Sequence, residues 1–287
     1  MEAAFSELPL ALFTTLAPAG AGAFIALAVA VMTAKIEDDA LRKLDRMSAI
    51  PLGVVLVSFI CAFFHLASPF AALGVFANTG SSPLSNELIA GCVFFVVALV
   101  YWILGMAGKL TTPVRKGMLV ACAVLALVFA VFMGMAYLMP TIIGWDTPAT
   151  VVQMVGYALC GGTALGLLTL RLSGCLDAAI ASPCKTICLV LVCVGALAAI
   201  IALAAQVAMV SGMGNALVSG SELAASVTGC VVFACICLVA GAACAVLCLM
   251  GKGPKAMAAC AVVLAVAGVF LGRLAFYALE LSLGPIM

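Results

Sequence analysis

Three side chains in this sequence can do acid–base or electrostatic chemistry away from water. His65 is the sole histidine in 287 residues and opens the stretch HLASP, 65–69. No charged residue lies between Arg46 and Glu87, which closes LSNE, 84–87. Arg273 stands in GRLAFY, 272–277. An imidazole with an ordinary pKa of about 6.5, set near a carboxylate in apolar surroundings, suits the removal of protons from a neutral donor. The local sequence adds to this. Pro69 has no N–H, so the His65 carbonyl four residues earlier loses its helical donor. Ser68 precedes that proline and is pushed toward an extended conformation, which predicts a helix end there. Before Glu87, Ser82 or Ser85 can cap a new helix, and Pro83 suits its first position.

These residues must be placed by membrane helices. Hydrophobic residues make up 67% of the chain and charged ones 8%, too little polar surface for a water-soluble domain of this length. The apolar runs reach the roughly 20 residues a helix needs to cross a bilayer, and the alternation of a strand barrel is absent. Charges and turn residues delimit eight predicted spans, at 9–34, 48–72, 84–108, 114–139, 149–171, 185–211, 225–250 and 256–281. The links are short, as in KIEDDALRKLDR at 35–46 and GKGPK at 251–255, so residues 1–287 read as one all-α, eight-helix transmembrane domain without an internal repeat. The start, MEAAFSELPLALF, carries Glu2 and Glu7 and no cation before the first apolar run, which predicts a retained membrane helix rather than a cleaved signal.

Eleven of the twelve lysines and arginines fall in or beside links 1–2, 3–4, 5–6 and 7–8. The positive-inside rule makes that face cytoplasmic and puts both termini outside. Arg273 is the exception, eighteen residues beyond Lys255 and so about 27 Å from the inner surface of a core about 30 Å thick. His65 falls at about the same depth, Glu87 opens its span from the outer side, and Gln206 lies near it at about 32 Å. Ionisable residues inside a membrane are costly and face the bundle interior, so a shared depth points to a shared site. A quinol fits such a site, because its ring is apolar and its two hydroxyls lose protons as electrons leave. His65 and Glu87 are then the proton acceptors, with Ser68 and Arg273 completing the quinol-binding set.

Bland roles compete with this one. His65 can bond a facing carbonyl, Glu87 is favoured by the dipole at a helix N-terminus, and Arg273 can reach outward or pair with Glu280. A small-solute or proton-coupled transporter and a purely structural anchor are the rival functions. The fourteen cysteines lie mostly within apolar runs and form no C-x-x-C, so they read as small packing residues and not as cluster ligands. Neither a metal site nor a nucleic-acid surface is expected. One histidine cannot supply the paired axial ligands of haem b, so no haem is expected.

The same stretches carry a family resemblance. ELPLALFT at 7–14, HLASP, LSNE and GRLAFY resemble the membrane-anchor subunit of dimethyl sulfoxide reductases, with Ala67 where members often have Gly. The resemblance implies a multi-pass subunit of a bacterial cytoplasmic membrane that oxidises menaquinol. It implies two partners, a four-cluster iron–sulfur subunit and a molybdopterin subunit that reduces a sulfoxide or N-oxide. It also implies that His65 and Glu87 belong to the quinol site. With no cluster in the anchor itself, the partner is expected on the outer face near the 72–84 link.

Overall fold

The computed structural model describes residues 7–65, 74, 79–215, 217–254 and 256–282, and those residues form helices joined by short links. In sequence order the helices are α1 (Leu8–Thr33), α2 (Asp38–Met47), α3 (Ala49–His65), α4 (Pro83–Met106), α5 (Thr112–Met135), α6 (Pro148–Ser173), α7 (Leu176–Ile180), α8 (Cys184–Ser211), α9 (Gly220–Leu249) and α10 (Met257–Ala278). Among the described residues eight stretches are long and apolar enough to cross a membrane, with α2 and α3 forming one of them from Asp38 to Phe64. The α4 start follows local rules: the Ser82 side chain accepts from the Ser85 amide, and Pro83 occupies the first turn.

Two expectations for the elements need correction. The charged link 35–46 is largely a helix, α2, whose two acidic residues Asp38 and Asp39 sit in its first turn, where the helix dipole favours them. The fourth span ends at Met135 rather than 139, and residues 136–147 form turns that fold back over the bundle end.

α1 and α6 occupy the middle of the bundle. In their most apolar stretches 83% and 72% of residues are buried, against 28% for the second span, α4 and α9. With no hydrophobic force between helices in lipid, close backbone approach through small residues has to hold them. A methyl group on Gly22 would collide with the Ala158 carbonyl, and one on Gly162 with the Gly22 backbone. α8 packs on the other side of α6, where Gly156 faces Ala199 and Gly195. α9 and α10 pair closely, with Gly241 against Ala265. Cysteines share this packing role, Cys122, Cys160, Cys184, Cys188 and Cys248 being buried. Burial pushes the thiol of Cys175, in the α6–α7 link, upward and disfavours its reactive thiolate.

Candidate functional site

Buried charge appears at both ends of the bundle. At the end bearing the cationic links, Asp45 of α2 and Arg115 of α5 form an ion pair at 2.9 Å, 1% and 7% exposed. Arg115 Nε donates to both Asp45 oxygens at 3.1 Å, and Tyr101 of α4 donates its hydroxyl to Asp45 at 2.7 Å. The three groups satisfy one another and tie α2, α4 and α5 together. Asp45, which falls in a charged link by sequence, is therefore an interior residue.

The other end is built around Arg273 of α10, which is 0% exposed. Its Nε donates to Thr14 Oγ1 of α1 at 2.9 Å, and one Nη donates to the Tyr277 hydroxyl at 2.9 Å. Helical spacing brings Phe276 and Tyr277 back over residue 273. The guanidinium carbon lies 3.9 Å from the Phe276 ring centre, 4.7 Å from that of Tyr277 and 4.8 Å from that of Tyr137. Desolvated cation–π contacts are worth about 2 kcal/mol, and they offset part of the cost of keeping a charge from water. The α5–α6 link closes this cage. Tyr137 bonds the Tyr277 hydroxyl at 2.5 Å, while Trp145 stacks on Phe276 and donates to its carbonyl at 2.9 Å. Arg273 thus neither reaches outward nor pairs with Glu280, which is exposed.

Glu87, in the first turns of α4, is 4% exposed. Glu87, near the start of α4, and Arg273, near the end of α10, lie toward the same end of the bundle, from spans almost two hundred residues apart. Yet Glu87 Oε1 and Arg273 Nη1 have no hydrogen-bond partner among the described residues. The same holds for the Tyr157 hydroxyl of α6, which feels the Arg273 charge and packs against Gly272, where a methyl group would stand 2.5 Å away. Buried polar atoms are almost always partnered, so Arg273 Nη1, the Tyr157 hydroxyl and Glu87 Oε1 leave hydrogen-bonding capacity for a polar guest at this end of the bundle; Gln153 Oε1 and Arg171 Nε are unpartnered as well.

Of the other candidate residues, Gln206 is used structurally: it accepts from Gln153 of α6 at 2.7 Å and donates to the Gly144 carbonyl at 2.9 Å. His65 closes α3, while its side chain and Ser68 lie outside the described residues. Depth and charge alone did not single out Thr14 or the tyrosines. A usable signal existed: the protein has only four tyrosines, and all four are buried, three around Arg273 and one on Asp45.

The profile of the DMSO reductase anchor subunit family (DmsC) matches residues 1–279. The protein belongs to this family. Among curated members, the C subunit of the anaerobic dimethyl sulfoxide reductase of Escherichia coli K12 is 32% identical over 178 residues, 61% of each sequence. The same subunit from Haemophilus influenzae is 27% identical over 165 residues, 58% of this sequence and 59% of the relative. The anaerobic dimethyl sulfoxide reductase subunit YnfH of Escherichia coli K12 is 31% identical over 165 residues, 58% of each. The matched part spans about three-fifths of these relatives. Among the described residues no three His, Cys, Asp or Glu side chains gather as metal ligands.

Proposed function

We propose that this anchor subunit oxidises menaquinol in a bacterial cytoplasmic membrane and passes the electrons to a four-cluster iron–sulfur subunit. That partner feeds a molybdopterin subunit, which reduces a sulfoxide or N-oxide. His65 and Glu87 accept the quinol protons, and Ser68 and Arg273 help hold the quinol. The observation that carries the reading is that two buried ionisable side chains toward one end of the bundle, Glu87 and Arg273, each keep a polar atom without a partner among the described residues. Leaving two such atoms unsatisfied inside a membrane is costly, which favours a bound group that satisfies both. A quinol hydroxyl supplies both a donor and an acceptor to them.

Orientation belongs to the same proposal. Both termini lie outside, the iron–sulfur partner docks on the outer face near the 72–84 link, and electrons pass to it directly, with no haem, cluster or metal in this subunit. The transporter reading is less well supported, because transporters gather their polar groups at the midplane around broken helices. Here the two charged clusters lie near opposite ends of the bundle.

The test is a complex carrying His65→Ala or Glu87→Gln, assayed with a menaquinol analogue and, separately, with a soluble viologen that feeds the partner subunits directly. Loss of quinol-driven turnover with viologen-driven turnover retained is expected. Quinol turnover at the wild-type rate in both variants would refute the quinol site.

A further inference from the structure

Hydrogen-bond directions around Arg273 single out one more residue. A guanidinium only donates, so both Thr14 Oγ1 and the Tyr277 oxygen must accept from it. The Thr14 hydroxyl hydrogen goes to the Leu10 carbonyl at 2.9 Å. The Tyr277 hydrogen then has two acceptors within reach, Thr14 at 3.4 Å and Tyr137 at 2.5 Å, and only the second lies within the usual O–H···O range. The short contact assigns the Tyr277 hydrogen to Tyr137, which leaves the hydrogen of Tyr137 without a partner among the described residues. Glu87 Oε1 is a buried acceptor at this end of the bundle with no partner among the described residues. No direct bond joins the two, so one oxygen that accepts from Tyr137 and donates to Glu87 completes the path.

We infer that Tyr137 is a catalytic residue of the quinol site, donating its hydroxyl hydrogen to the quinol oxygen whose proton Glu87 takes. This rests on the quinol reading above. In the step, the quinol O–H bond breaks, its proton passes to Glu87 Oε1, and the electron pair stays on the oxygen as a quinolate. The Tyr137 hydroxyl, polarised through Tyr277 by the Arg273 charge, stabilises that oxyanion as it forms. The quinolate then gives up its two electrons, one at a time, to the iron–sulfur partner proposed above, and the second hydroxyl gives its proton to His65, the other acceptor of that proposal.

The experiment uses the assembled complex with Tyr137→Phe, Glu87→Gln and both together. Tyr137→Phe keeps the ring against Trp145 and Phe276 and removes only the donor. It is expected to lower quinol-driven turnover on the order of tenfold, to leave viologen-driven turnover unchanged, and to add no further loss to Glu87→Gln. Wild-type quinol turnover in Tyr137→Phe, with Glu87→Gln inactive, overturns the role of Tyr137 and leaves the quinol site standing, as does an equal loss in both backgrounds. An active Glu87→Gln overturns both. If the phenylalanine variant fails to assemble, fluorotyrosine at 137 keeps the ring and strengthens the donor. A changed pH profile of quinol turnover then supports the role, and an unchanged one overturns it.

Discussion

Asp45→Ala is the most informative change for the bundle itself. The carboxylate accepts from Tyr101 and twice from Arg115 Nε, with the Arg115 Nη2 bond at 2.9 Å, and both ions are nearly sealed from solvent. An exposed pair of this kind contributes 0 to about 1 kcal/mol. A buried pair broken from one side costs about 3–5 kcal/mol, because the remaining charge is stranded. A cleft of about 450 Å³, lined by Asp38, Arg42, Thr111 and Thr112, borders the pair and lets water approach, so the lower end, about 3 kcal/mol, applies. At about 2–4 °C per kcal/mol this lowers the melting temperature by about 6–12 °C in thermal unfolding of the purified complex in detergent. Adding Arg115→Met removes the stranded cation and leaves only the Tyr101 hydroxyl unpaired, a residual loss of about 1–3 kcal/mol. The double variant is therefore expected to melt above the single one. A double variant that melts lower, or an Asp45→Ala protein as stable as wild type, would refute the stranded-charge reasoning. Quinol-driven turnover of the molecules that do assemble should be unaffected, since the pair lies at the other end of the bundle from Arg273.

Arg273→Met should lower quinol-driven turnover by more than about tenfold while viologen-driven turnover of the assembled complex is retained; retained quinol-driven turnover would remove Arg273 from the site. Gly162→Leu should prevent accumulation of folded protein, because the side chain enters the Gly22 backbone, whereas Gly53→Ala, with open space around it, should be silent; equal yields of the two in membrane fractions would contradict the α1–α6 contact.

The sequence by itself determined the eight spans, because bilayer thickness imposes a length and a composition that each apolar run either meets or does not. It also determined that Arg273 and Glu87 would share an end of the bundle, since helical rise converts position into depth. Local rules placed the cap at Ser82 and Pro83. Depth is one coordinate, however, and the sequence left the other two open. That Arg273 turns inward to Thr14, Tyr137 and Tyr277, and not toward Glu280, depends on the rotation of α10 against α1 and on the fold of the 136–147 link. The same is true of Asp45, which stands in a charged stretch of sequence but whose partners Tyr101 and Arg115 come from two other helices. Central packing of α1 and α6 was equally invisible, because neither helix carries a marked apolar stripe, and in lipid small residues at the crossing decide which helices meet. Hydropathy fixed how deep each polar group lies; only packing decided which of them touch.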